Sequence, residues 1–102
     1  MSYKMRFVQY FDKSNSQAFL DLERGFVELE KRTPDMKRGR RFVPIIGREP
    51  TNTMIWEADY DSAEDAMRAL RNIEENSEHD VLLDDQIKVM RDTYVEIYKE
   101  LI

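Results

Sequence analysis

The residues of this sequence best suited to chemistry are two combinations of arginine and glutamate. Arg41 and Glu57 lie in two apolar segments joined by a polar, proline-containing connection, so they can occupy neighbouring strands of a hairpin. Arg6 and Glu96 form a second combination. In a pocket that excludes water, an arginine could hold an anionic ligand, and burial would raise the pKa of Glu57 and make it a general base. The alternative is a structural role, since buried charges are costly unless they are paired.

Tyrosine hydroxyls extend this set of candidates. Each of the three tyrosines chosen couples an apolar ring to a polar group, which suits a ligand pocket or the filling of a protein interface. Trp56 has apolar neighbours at alternating positions, and we expect it in the core. Glu57 is the candidate catalytic residue. The ligand-binding candidates are Arg6, Tyr10, Arg41, Glu57, Tyr94, Glu96 and Tyr98.

The sequence argues against several other chemistries. It has no cysteine and one histidine, His79, which lies in a polar break where we expect it to be solvated; we therefore expect no metal site. Its three glycines are widely separated, so no phosphate-binding loop or nucleotide cofactor is expected. Sixteen basic against twenty-one acidic residues give a net charge of −5, which disfavours nucleic acid despite the basic run 37–41.

The sequence pattern of the first half of the chain predicts the strands and the helix that position these side chains. Alternation over 3–11 predicts a strand, and Ser14 and Gln17 have the spacing of a capping box before a helix that ends near Lys31. Apolar residues at 42–46 predict a second strand that ends at Gly47. A polar hairpin connection then leads to a third strand at 53–60.

The second half predicts a broken helix and a last strand. Ser62 and Asp65 carry a capping signal for a helix that runs to about Glu75, and the apolar cluster after 76–78 indicates a further short helix. The segment 93–98 has helical spacing, but it is dominated by β-branched and aromatic residues. We favour a fourth strand there.

The resulting order, βαββαβ, predicts one α+β domain over residues 1–102, with a ferredoxin-like antiparallel four-stranded sheet and its helices on one face. The expected helix-side residues are Met5, Phe7, Phe11, Phe42, Pro44, Ile46, Met54, Trp56 and Tyr60. The expected open-face residues are Arg6, Val8, Tyr10, Arg41, Val43, Ile45, Ile55, Glu57, Tyr94, Glu96 and Tyr98. This open face is too apolar for a solvent face and too charged for an ordinary core, so we expect it to bind a partner or a ligand.

Five segments, GRRFVPIIG, TMIWEADYDS, AMRALRNIEE, HDVLLDDQIKVM and YVEIYKEL, resemble bacterial proteins of the dimeric α+β barrel superfamily. Among these the sequence is most similar to the NIPSNAP-type members. The resemblance implies that two copies pack sheet against sheet into a barrel and cover the open face. Relatives include uncharacterised proteins, cofactor-independent monooxygenases of the antibiotic-biosynthesis type and haem-degrading enzymes, so no single reaction follows from it.

Three functions therefore remain open at this point. The first is a homodimer that binds a small organic molecule in a cavity on the sheet face. The second is a cofactor-independent or haem-degrading monooxygenase, and the third is a structural or interaction module without a ligand. No apolar segment reaches membrane-spanning length, and we expect a cytoplasmic protein with no membrane partner, no nucleic-acid partner and no cofactor.

Overall fold

A computed structural model describes residues 1–102 and has an α+β fold of the ferredoxin-like type. Four antiparallel strands form one sheet in the order β2-β3-β1-β4. The strands are β1 (Tyr3–Phe11), β2 (Arg40–Phe42), β3 (Thr53–Tyr60) and β4 (Met90–Lys99). The helices are α1 (Ser16–Arg32), α2 (Ala63–Glu75) and α3 (Ser77–Ile87). The predicted element order, including the broken second helix and the fourth strand, is confirmed.

The strand register sets the two faces of the sheet. In the centre, Arg6 of β1 lies opposite Glu57 of β3 on one side and Glu96 of β4 on the other. Val8 likewise lies between Ile55 and Tyr94. Because side chains alternate along a strand, these residues share the face without helices, which we call the open face. The predicted phase of the fourth strand is therefore correct.

The predicted second strand is wrong in both extent and phase. The strand covers Arg40–Phe42, and residues 43–52 lie outside the sheet, with bends at 45–49 and a turn at 51–52. Arg41 lies opposite Trp56, on the helix side, and Phe42 lies opposite Ile55 on the open face. The apolar spacing over 42–46 predicted the opposite faces for Arg41 and Phe42. That spacing contains no information about Glu23 and Glu30 of α1, which pair with Arg41 on the helix side. Pro44 cannot donate a ladder hydrogen bond, which limits this edge strand to a short length.

The capping signals in the sequence predict one helix start correctly and another incorrectly. The Ser62 side chain accepts a hydrogen bond from the Asp65 backbone N–H at 3.0 Å, as the capping spacing predicts. At α1 the predicted Ser14–Gln17 capping box does not form, because a short 3₁₀ turn over 13–15 precedes the helix and Asn15 makes no side-chain cap. Asn76 ends α2 and caps α3 through its side chain, so the chain can change direction between them.

The main core lies between the sheet and the helices. Phe19 and Ala66 from the helices are fully buried against Met5 of β1, and the rings of Phe11 and Phe19 stack with their centroids 4.7 Å apart. Trp56 and Tyr60 of β3 are also buried in this core. None of the helices has the length and apolar character needed to cross a membrane.

Candidate functional site

A cavity of about 130 Å³ lies between the sheet and the helices. Apolar rings and aliphatic side chains form much of its wall, together with several charged groups. This volume is close to that of an engineered cavity that holds one benzene molecule. The lining residues used below are Gln9, Glu23, Glu30, Asp35, Lys37, Arg41, Trp56, Tyr60, Ala69 and His79.

Arg41 is the centre of the charged part of the wall. Its Nε donates to Glu23 Oε2 at 2.6 Å, and its Nη1 donates to Glu30 Oε1 at 3.2 Å. Both glutamates lie on the inner side of α1, each about one helical turn from the buried Phe26. Gln86 of α3 donates to Glu23 Oε1 at 2.9 Å. We call Glu23, Glu30, Arg41 and Gln86 the Arg41 cluster; it joins β2, α1 and α3.

Burial controls the ionisation of this cluster. Desolvation raises the pKa of Glu23 above its ordinary value, against the opposing effects of Arg41 and Gln86. Burial also raises the pKa of the Tyr60 hydroxyl to about 12, so this hydroxyl stays protonated near neutral pH. In the buried part of the wall, Arg41 is paired with both Glu23 and Glu30.

Three buried polar atoms on residues of the cavity wall pair with no group of the chain. They are Gln9 Oε1 from β1, Trp56 Nε1 from β3 and His79 Nδ1 from α3. An unpaired buried polar atom costs about 1–3 kcal/mol, so such atoms are rare in protein cores. All three atoms are enclosed by protein atoms, so they belong to the packed wall of the cavity and do not face its open part.

His79 differs from its expected position. It is half-buried on α3, its ring lies 4.8 Å from that of Phe26, and it lines the cavity, whereas the polar sequence around it predicted a solvated side chain. Desolvation lowers the pKa of His79, although Asp80 and Glu30 oppose this shift. His79 is therefore neutral at pH 7 and can accept or donate a proton. The α3 helix turns it inward because Asn76 fixes the helix start.

Gly39 positions Trp56 at the edge of the cavity. A Cβ atom at residue 39 would lie 1.7 Å from Trp56 Nε1, so only glycine allows the indole to pack against this backbone. The Gly39 N–H also donates to Glu30 Oε1 at 2.9 Å. Trp56 is buried, as expected, and one glycine connects it to the Arg41 cluster.

Six of the seven ligand-binding candidates lie on the open face, and Arg41 does not join them. Arg6 contacts Glu57 at 2.9 Å, and Lys4 and Arg40 approach the same carboxylate at 3.6 and 4.0 Å. The expected pair of Glu57 with Arg41 is therefore replaced by pairs with Arg6 and Arg40. Glu96 lies opposite Arg6 in the register, but no ion pair joins the two side chains.

The three candidate tyrosines extend along the same open face. Tyr10 and Tyr94 lie with ring centroids 6.1 Å apart, and Tyr98 lies under the Arg6 guanidinium at 5.9 Å. Tyr10 donates a hydrogen bond to Glu49, and that bond raises the pKa of the Tyr10 hydroxyl. Hydrogen bonding to Glu96 raises the pKa of Tyr98, against the effect of Arg6. This face is a layer of paired charges and rings without an enclosed cavity.

Sequence reasoning missed Gln9, Glu23, Glu30 and Gln86. The available signal was a glutamate among apolar residues on the inner face of α1: Glu23 sits between Phe19 and Phe26 at helical spacing. No group of three or more histidine, cysteine, aspartate or glutamate residues is arranged to hold a metal ion.

The fold is similar to several solved structures, although no family model and no curated protein matches the sequence. A NIPSNAP family protein from Agrobacterium tumefaciens superposes with a TM-score of 0.78 at 16% identity, covering 99% of this chain and 94% of that one. A NIPSNAP-like domain protein from Burkholderia xenovorans gives 0.77 at 16% identity, covering 98% and 85%. An antibiotic biosynthesis monooxygenase gives 0.71 at 11% identity, covering 98% and 99%.

Identities this low establish a common fold and leave the activity undetermined. The similarity nevertheless extends over nearly the whole of each chain, so it concerns the complete arrangement of sheet and helices. The expected resemblance is confirmed at this level. The chain therefore has the ferredoxin-like fold of NIPSNAP-type proteins and of an antibiotic biosynthesis monooxygenase.

Proposed function

We propose that this protein binds a small organic molecule in the cavity between its sheet and its helices. The observation that carries the proposal is the cavity itself, which has a volume of about 130 Å³ and places apolar side chains beside the paired charges of the Arg41 cluster. The sequence placed the ligand on the open face instead, but the cavity lies on the opposite side of the sheet. Of the sequence candidates, only Arg41 lines it.

Native mass spectrometry of gently purified protein tests this proposal directly, because a retained ligand adds a defined mass. The matched variant is Ala69→Phe, which places a benzyl group in a cavity of about 130 Å³. The control is Ala18→Phe on the exposed side of α1. We expect added mass, or binding of supplied small aromatic compounds, in the parent and in Ala18→Phe only. Equal binding by Ala69→Phe would contradict the cavity as the site.

We also propose that two copies associate through the open face. No helix covers this face, and Phe42, Tyr94 and Tyr98 are 47%, 38% and 45% exposed. Its charges are balanced, with Lys4, Arg6 and Arg40 against Glu57, Asp59 and Glu96, so a two-fold arrangement brings no net repulsion. The open-face candidates then serve the interface.

Sedimentation of Tyr94→Asp tests the dimer, because a carboxylate in the centre of the interface would be buried without a partner. Val81→Asp is the control, since Val81 is exposed on α3 away from the open face. We expect a dimeric parent, a dimeric Val81→Asp and a monomeric Tyr94→Asp. A monomeric parent at micromolar concentration would refute this part of the proposal.

A cofactor-independent monooxygenase is the second candidate function. It is supported by the shared fold with an antibiotic biosynthesis monooxygenase and by a neutral His79 on the cavity wall that could take a proton from a bound substrate. Oxygen uptake with hydroquinone as the probe, in the parent and in His79→Gln, tests it. Uptake no faster than in buffer would contradict this candidate for that substrate class.

The haem-degrading version of this candidate does not fit the cavity. His79 has the chemistry of an axial ligand, but a porphyrin is several times larger than the single ring that a cavity of about 130 Å³ accepts. We therefore expect no shift of the Soret band when haem is titrated into the protein.

A further inference from the structure

Tyr60 combines deep burial with a hydroxyl that has no partner. It is the last residue of β3, it lines the cavity, and it is 5% exposed. Its hydroxyl makes no hydrogen bond within the chain, and unlike Trp56 Nε1 it is not enclosed by protein atoms. Since the rest of the residue is buried, the hydroxyl is accessible from the cavity. A buried hydroxyl without a partner is uncommon in a protein, and a ligand in the cavity can supply one.

Two cations of the cavity wall also keep N–H donors without a partner. Lys37 Nζ donates to the Asp59 carbonyl oxygen and lies 4.7 Å from the centre of the Tyr60 ring, which leaves two of its three N–H groups free. Arg41 makes four hydrogen bonds with its five N–H groups, which leaves one free on Nη2. We call the Tyr60 hydroxyl, the Lys37 ammonium and this Arg41 N–H the donor set.

The buried acceptors of the wall, in contrast, have partners. Glu23 accepts from Arg41 and Gln86, and Glu30 accepts from Arg41 and from a backbone N–H. Asp35 has no ion-pair partner, but it is exposed, so water solvates its carboxylate. A ligand that enters the cavity therefore meets donors that lack a partner and buried carboxylates that already have one.

We infer that the cavity binds a single-ring molecule through a carbonyl or carboxylate oxygen, which accepts a hydrogen bond from the Tyr60 hydroxyl and a second one from Lys37 at the mouth. This inference rests on the proposed function and names the chemistry of its ligand. Because the Tyr60 hydroxyl stays protonated near neutral pH, it is available as a donor. Lys37 is placed at the mouth because it lines the cavity and is itself exposed. The volume of about 130 Å³ limits the apolar part of the ligand to about one ring.

Three probes test the inference: acetophenone, benzoate and ethylbenzene. Acetophenone and benzoate each carry an oxygen acceptor, neutral in the first and charged in the second, and ethylbenzene has none. The chain has one tryptophan, and Trp56 lines the cavity, so its indole N–H signal reports on binding in nuclear magnetic resonance titrations. We expect acetophenone and benzoate to shift this signal in the parent, and binding of every probe to be lost in Ala69→Phe.

Tyr60→Phe removes only the hydroxyl and leaves the ring. We expect it to weaken acetophenone and benzoate about five-fold and to leave ethylbenzene unchanged, because only the first two lose a hydrogen bond. Tyr94→Phe makes the same change on the open face and should weaken none of the three.

Lys37→Met tests the second donor. We expect it to weaken benzoate about ten-fold and acetophenone less, because a charge-assisted hydrogen bond is stronger than a neutral one. Lys31→Met is the matched control, since Lys31 is exposed on α1 and pairs with Glu28. It should change neither affinity.

The outcomes separate this inference from the proposed function. If Tyr60→Phe weakens all three probes equally, Tyr60 has a structural role and the inference is overturned. The inference is also overturned if Tyr60→Phe weakens none of them, or if the parent binds ethylbenzene alone; in each case loss of binding in Ala69→Phe leaves the cavity as the site. If no probe shifts the Trp56 signal in the parent, the proposed function fails, and this inference fails with it.

Discussion

The two faces of the sheet use the same residue types under opposite conditions. On the helix side Arg41 is 18% exposed and bridges Glu23 and Glu30, which are 8% and 11% exposed. On the open face Arg40 is 56% exposed and reaches Glu57 and Asp59 at 4.0 and 3.1 Å. The two arginines are adjacent in sequence, and alternation alone sends them to opposite faces.

Burial determines what an ion pair contributes to the free energy of unfolding. Breaking a buried pair leaves an uncompensated charge, which costs several kcal/mol, while an exposed pair contributes about 0–1 kcal/mol. On the helix side, Arg41, Glu23 and Glu30 form one network, and loss of any member would leave a buried charge unpaired. On the open face, Lys4 and Arg40 stay 41% and 56% exposed around Glu57, which is itself 14% exposed.

Arg41→Met and Arg40→Met remove one arginine from each face of the sheet. We expect Arg41→Met to lower the free energy of unfolding by about 3–5 kcal/mol, because Glu23 and Glu30 lose their cation. Arg40→Met should cost at most about 1 kcal/mol. Urea denaturation at pH 7 measures both.

The same experiment has a pH dependence that checks the cause. The folded-state pKa of Glu23 lies above its ordinary value, so ionisation of Glu23 costs stability as the pH rises through that range. At pH 5 Arg41→Met should therefore recover part of its loss relative to the parent. Equal losses for the two arginine variants would show that the two faces do not differ.

A second test compares Gly39, directly before β2, with Gly47 in the loop that follows it. Gly39→Ala places a Cβ atom against the Trp56 indole, and we expect a loss of about 1–3 kcal/mol with a changed tryptophan fluorescence spectrum. Gly47→Ala meets no atom within 4 Å and should change stability by less than about 0.5 kcal/mol. An unchanged spectrum in Gly39→Ala would contradict the close packing of Gly39 on Trp56.

A third test sharpens the description of the open face. Glu57→Gln removes the carboxylate shared by Lys4, Arg6 and Arg40. The Glu57 side chain is 14% exposed and its partners are 29–56% exposed, so we expect a loss of about 1–2 kcal/mol, between the values for an exposed and a buried pair. The loss should shrink between low and high salt, because the exposed cations are screened. A loss that is large and independent of salt would show that Glu57 behaves as a buried charge, as Glu23 and Glu30 do.

The smallest expected effect concerns His79. Its folded-state pKa lies below the unfolded value of about 6.5, so its contribution to stability is present above that pH and is lost as the pH falls through the folded-state pKa. Between pH 7.5 and 5.5 the parent should lose more stability than His79→Gln. Parallel losses would place His79 in solvent, as its sequence context first indicated.

Much of the fold follows from local sequence patterns. Alternation over 3–11 and 53–60, helical spacing with the Ser62 cap, and the β-branched and aromatic composition of 93–98 predict strands and helices that form. These features depend on contacts within a few residues, so one stretch of sequence contains the information. The open-face candidates Arg6, Tyr10 and Glu57 also lie together as alternation predicts.

No single segment of the sequence contains the information that specifies the cavity. Arg41 lies beneath the helices because Glu23 and Glu30, on α1, and Gln86, on α3, form its surroundings, and the sequence distance between them hides this cluster. His79 turns inward because Asn76 sets the start of α3 against the sheet. Periodicity is a local property, so it is sufficient to specify the helices, the strands and the two faces of the sheet. Which charges are buried and where a ligand can bind depend on the packing of segments distant in sequence, and these features appear only in the folded chain.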